Sequence, residues 1–237
     1  MKQAKAHLQI HIHKVNGSTT TFVQDDAGEI RKIFDGFLPT QIFKQDIISF
    51  TGKNSITSLP ASQITRIDVI SEQLPNLNFP VGMVEAMELS ATEFQALVRS
   101  PVMLEQWKLK KTQDLCLVTL LEVEMADGQC LYFTMETQVE LLRSEFWNTR
   151  KFILTGIALC FRMRTGGIAV LNLAHLTRLT FFPNPVPSPS GAWHAEKCDC
   201  GQPAKHISNG ESGAQDACNQ FQSSLFPKSK QLYLERK

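Results

Sequence analysis

Nowhere in this sequence do 18 apolar residues run together, which excludes a membrane span built from one apolar helix. The first residues, Met1-Lys2-Gln3-Ala4-Lys5-Ala6, pass straight into alternating residues without the apolar stretch of a secretory leader. There is no excess of charge. The formal net charge is +1, and Lys and Arg are spread along the chain without a basic run, so a phosphate-neutralising stripe for nucleic acid is not expected. The six cysteines lack the regular spacing of a disulfide framework, and Cys116, Cys130 and Cys160 sit in apolar, strand-like segments. Together these absences predict a cytoplasmic, reduced protein.

Catalytic signatures are missing too. The sequence has no G-x-S-x-G, no G-x-x-x-x-G-K-[ST], no G-x-G-x-x-G and no H-E-x-x-H. Asp25-Asp26 is an adjacent acidic pair, better placed to cap a helix than to serve as acid and base. No cofactor is expected.

What is present is a pattern that recurs 111 to 112 residues apart. Leu8 to Ile12, Gly17, Phe22 and the segment Gln63 to Ile67 are answered by Thr119 to Val123, Gly128, Phe133 and His175 to Leu179. In the first strand Leu8, Ile10 and Ile12 face one way, and His7, Gln9, His11 and His13 the other, as in a sheet with one buried face. Asn16-Gly17 and Asp127-Gly128 read as hairpin turns. Asp26 to Glu29 reads as a capping box ahead of the stripe Ile30, Ile33, Phe34 and Phe37, and Thr137 to Glu140 as a second box ahead of Leu141, Leu142 and Phe146. Pro60 predicts a loop or bulge inside the segment Ile56 to Ile70.

The expected fold class is therefore α+β: an internal duplication of a ββαββ unit, each copy an antiparallel sheet with one helix. The first copy covers 1–72 and the second 116–183, packed as a pseudo-symmetric pair. The connector 73–115 is expected to be helical, with a third capping box at Ser90 to Glu93, a staple of Leu89 on Phe94, and a further helix opened by Ser100-Pro101 with Met103, Leu104 and Trp107 on its apolar side. Residues 184–237 follow a proline run and are rich in Ser, Gly and Gln, the composition of a disordered tail, with Leu225-Phe226 and Leu232-Tyr233-Leu234 as its apolar anchors.

Three sets of residues are candidates for chemistry. Same-face neighbours on a strand lie about 7 Å apart, so His11 and His13 of the ladder His7, His11, His13 are placed to share a metal ion; the bland alternative is a wet outer face. The second repeat carries Glu122 and Glu124 in their place, and a His-Glu site would follow if the two strands were neighbours. In the tail, His194, Cys198, Cys200, His206 and Cys218 hold zinc donors, but Cys198-Asp199-Cys200 has one intervening residue where zinc ribbons and knuckles use two to four. Finally, Thr65-Arg66 and Thr177-Arg178 put two polar neighbours into alternating strands, which predicts a rim or bulge at each pair. The arginines would bind an anion or, more ordinarily, cover apolar surface and pair with an acid.

These readings predict a non-enzymatic protein-interaction or scaffold protein with a protein partner, no nucleic acid and no membrane. A ligand- or metal-binding sensor with its site between the two copies is the alternative.

Overall fold

Alternation and turn chemistry carry through into the strands of the computed structural model, which describes residues 7–72, 74, 77, 79, 83–100, 116–138, 153 and 156–182. Strands β1 (Leu8–Lys14) and β2 (Thr19–Gln24) form the first hairpin, turned at Gly17 with φ +77°. Helix α1 (Ala27–Asp35) follows, then the single turn α2 (Pro39–Ile42). Next come β3 (Ile47–Thr51), β4 (Ile56–Pro60), a 3-10 turn at Ala61–Gln63, and β5 (Ile64–Ser71). Strand β6 (Met83–Leu89) leads to α3 (Ala91–Val98). The second hairpin is β7 (Cys116–Met125) and β8 (Cys130–Gln138), turned at Gly128 with φ +81°. The last strands are β9 (Ala158–Arg162), β10 (Ile168–Asn172) and, after a 3-10 turn at Leu173–His175, β11 (Leu176–Phe182).

These strands do not make two ββαββ units. Nine of them form one mixed sheet in the order β11-β7-β8-β6-β9-β10-β5-β1-β2, and β3 and β4 pair separately as a two-stranded sheet. The expected α+β duplication with one helix per copy is thus corrected to a mostly β architecture. Two particulars overturn it. Thr137, expected to cap the second helix, lies in β8 opposite Leu117 and Met83; Glu140 and the stripe after it fall outside the described residues. And β3–β4 stand apart, whereas β9–β10, at the matching sequence positions, are built into the large sheet between β6 and β5. The connector is not purely helical either, since β6 is a sheet strand linking β8 to β9. The helix expected after Ser100-Pro101 and the tail 184–237 lie outside the described residues.

Local signals fare better. Asp26 Oδ1 accepts from Glu29 N at 2.9 Å, although the Glu29 carboxylate turns to Lys32 and completes only half of the box. At α3 the box is whole: the Ser90 hydroxyl accepts from Glu93 N, and the Glu93 carboxylate accepts from Ser90 N. Leu89 and Phe94 are both buried in one cluster, as a staple requires.

One face of the large sheet is covered by two sets of elements, and on the other face the sheet's own strands pack together. Leu8, Ile12, Ile67, Val69 and Ile168 pack under α1 and β3–β4, through Ile30 and Ile48. Leu89, Val118 and Leu120 pack under α3, through Phe94 and Leu97. A third cluster joins β7 and β8 (Leu121, Val123, Leu131, Phe133) to β9 and β10 (Leu159, Phe161, Ala169, Leu171). At the β9–β10 turn, a Cβ on Gly167 (φ +103°) would stand 2.6 Å from the Val69 carbonyl oxygen, so only glycine lets this turn close on β5.

Candidate functional site

The expected irregularity at Thr65-Arg66 is a β-bulge. The β1–β5 register passes from His13↔Arg66 to Lys14↔Ile64, leaving Thr65 as the extra residue. Its hydroxyl donates to the His13 carbonyl at 3.3 Å and to Asp127 Oδ2 of the second hairpin turn at 3.2 Å. The bulge resets the alternation. Ile64 and Ile67 both enter the core beneath α1, and Arg66 is turned to the opposite face.

There Arg66, with a side chain only 8% exposed, is held by four groups. Its Nε donates to Asp68 Oδ1 at 2.5 Å and its Nη1 to Glu88 Oε1 at 3.2 Å. Nη2 approaches Met163 Sδ at 3.3 Å, and the guanidinium lies 5.2 Å from the Phe161 ring centroid. Ala169, opposite Asp68 on one side and Phe161 on the other, is the small residue at this crossing. His13 Nε2 and Asp68 Oδ2 are 2.9 Å apart, and His13 Nδ1 meets Thr19 Oγ1 at 3.2 Å. Burial alone would raise the Asp68 pKa, but the His13 hydrogen bond and the charge and hydrogen bond of Arg66 outweigh it and hold the carboxyl below its ordinary value.

The second ladder repeats the bulge and moves the acids. Register passes from Leu176↔Met125 to Arg178↔Glu124, and the Thr177 hydroxyl donates to the Glu124 carbonyl at 2.9 Å. Arg178 pairs with Glu124 at 3.1 Å and with the buried Glu122 at 3.4 Å. The Cys130 thiol is 3.7 Å from Glu122. Burial, despite a hydrogen bond from Tyr132, and the Glu122 charge push that thiol up, and burial with the Cys130 contact pushes Tyr132 to about 12. Cys160, buried in β9, is pushed to about 12 by burial alone. None of these three groups is a ready nucleophile or base near neutral pH.

The metal candidates divide. His11 Nδ1 hydrogen-bonds Thr21 Oγ1 at 2.9 Å, and His13 is engaged with Asp68 and Thr19. Strands β1 and β7 are separated by five others in the sheet, so Glu122 and Glu124 do not sit beside His11 and His13 as ladder neighbours. Among the described residues no three His, Cys, Asp or Glu side chains converge on one point. Cys198 and Cys200, with the rest of the tail's donors, lie outside the described residues.

Two surface features remain. An open cleft of about 650 Å³ lies between the β3–β4 corner (Lys44, Asp46, Ser62) and the β9–β10 corner (Gly156, Ile157, Asn172). Asn172 is committed to structure there, donating to the carbonyls of Ala61 and Ile64 and accepting from Ala174 N. The second feature is the sheet edge β2, where Thr19, Thr21 and Val23 are exposed, with the outward residues Ile47 and Ile56 of the two-stranded sheet. Sequence reasoning singled out neither, nor Asp68 and Glu88 as the partners of Arg66. Asp68 was within reach, standing two residues from Arg66 on the same strand face. Glu88 was not, because it arrives from another part of the chain.

No protein-family model, curated protein or solved structure matches this chain.

Proposed function

We propose that this chain is a non-enzymatic protein-interaction or scaffold protein of the cytoplasm, working with a protein partner and without nucleic acid or membrane. The observation that carries the reading is an edge of the nine-stranded sheet that no strand among the described residues covers. Strand β2 bears neither charge nor proline, and Val23 on it is 58% exposed. An edge of this kind offers its free amides and carbonyls to another strand. The buried ionic groups support the reading from the other side, since each is paired within the fold. Among the described residues no helix is long and apolar enough to cross a membrane. Affinity capture with the full chain, with Val23→Lys and with a chain ending at Phe182 tests the proposal. Partners lost on either change support it; identical partner lists for all three overturn it.

A ligand-binding sensor is the second reading, favoured by the open cleft with Lys44 and Asp46 on its wall. Its metal form predicts stoichiometric zinc after purification, lost on His11→Ala or Cys198→Ala. Elemental analysis without bound metal removes that form.

A further inference from the structure

We propose that β2 is a self-association edge: two copies of this chain pair antiparallel along Thr19–Gln24, centred on Thr21, and join their large sheets. The inference rests on the interaction reading and names its partner as a second copy. Among the described residues β2 has a neighbour on one side only, β1, and the two run in unbroken register from Leu8↔Gln24 to His13↔Thr19. The ten residues Val15 to Gln24 contain no charged side chain and no proline. The opposite edge is built differently. Strand β11 is bulged at Thr177, carries the half-exposed Arg178, and is followed in sequence by Pro183. Bulges, charges and prolines are the devices that keep sheet edges apart, and β2 has none of them.

Charge selects the occupant. The neutral run is bounded by Lys14 at one end and by Asp25 and Asp26 at the other. Antiparallel self-pairing brings the acidic end of each copy toward the lysine end of the other. Parallel pairing would set acids beside acids, which opposes it. Parity selects the centre. Opposed residues in an antiparallel pair share a sheet face, so a two-fold axis normal to the sheet must pass between like residues. The exposed set Thr19, Thr21 and Val23 is symmetric about Thr21. This register sets Thr19 against Val23 of the second copy and covers the exposed Val23. A single strand pair buries less than the roughly 1,200 Å² of a standard interface, so the dimer is concentration-dependent.

Sedimentation velocity of the full chain over a concentration series is expected to show a dimer that dissociates on dilution. Hydrogen exchange should show the amides of residues 19–24 better protected at high concentration. Thr19→Lys with Val23→Lys opposes lysine to lysine in this register and is expected to raise the dissociation constant at least about tenfold. Thr19→Glu with Val23→Lys opposes glutamate to lysine and is expected to restore pairing. Both changes fall on exposed positions, and circular dichroism checks that the fold is kept. A wild-type chain monomeric at every concentration overturns the proposal, as does a double-lysine variant that dimerises like wild type. So does concentration-dependent protection confined to other strands. The capture of other proteins is judged separately, so a monomer that still loses partners on Val23→Lys sinks self-pairing and spares the interaction reading.

Discussion

Arg66 sits where a bulge has turned it into the protein, and its charge is answered by Asp68 and Glu88. A buried pair of this kind contributes little net stability when intact, because the desolvation of its charges opposes their attraction. Removing one partner leaves an uncompensated charge behind. Arg66→Leu is therefore expected to cost about 3–5 kcal/mol in urea unfolding. Arg66→Leu combined with Asp68→Leu should cost less than the sum of the single changes, since the orphaned charge leaves with its partner. Asp68 also sets an acid limit. Its folded carboxyl lies below the ordinary value of 3.8, so its contribution is complete above that pH and is lost as the pH falls through the depressed folded value. Urea midpoints across an acid pH series should fall less steeply for Asp68→Asn than for wild type.

At the scale of elements, Ser90 and Thr137 carry the same sequence signature, a hydroxyl three residues ahead of a glutamate, and do different things. Ser90 accepts from the Glu93 amide, and Ser90→Ala is expected to destabilise by about 1 kcal/mol. Thr137 lies in β8, and its buried hydroxyl has no hydrogen-bond partner among the described residues. Thr137→Val removes an unsatisfied polar atom at constant shape and is expected to stabilise by about 1 kcal/mol. A thermal melt that moves down for Thr137→Val would contradict an unsatisfied hydroxyl at that position. The two signatures are equivalent in one dimension, because a hydroxyl residue ahead of an acid suits a cap or a strand. Helix α3 is decided by its staple and its apolar stripe, Leu89, Phe94 and Leu97. Thr137 is decided by its ladder partners Leu117 and Met83.

The whole molecule is held across its halves. Strand β5 is flanked by β1 from its own half and by β10 from the other, and β6 of the connector bridges β8 and β9. A fragment of residues 1–72 would expose the β5 edge, lose Ile168 from its core cluster, and uncover Phe37, Ile42 and Phe43 where they pack on Ala158, Cys160 and Val170. Such a fragment is expected to aggregate or stay unfolded, as circular dichroism and light scattering would show, while the intact body unfolds in one urea transition. A fragment that melts cooperatively by itself would contradict this. The near-neutral charge predicts no retention on heparin at low salt; retention that fades as salt rises would bring nucleic acid back.

Both hairpin turns, both bulges, the cap of α1 and the whole box of α3 were legible in the sequence. Each depends on contacts within a few residues: a positive φ at Gly17 and Gly128, a side-chain oxygen accepting from an amide three residues on, two polar neighbours that an unbroken pleat cannot hold. The recurrence over 111 to 112 residues was equally legible, but it records similar strands and says nothing of which strands pair. Pairing was decided only in three dimensions. Backbone donors and acceptors are the same on every strand, so β10 could join β5 or stay apart with β9, as β4 does with β3. The choice falls to the packing of distant side chains, such as Ala169 between Asp68 and Phe161 and Gly167 against Val69. Through that choice Glu88 comes to Arg66, and β2 has one strand neighbour, β1, among the described residues.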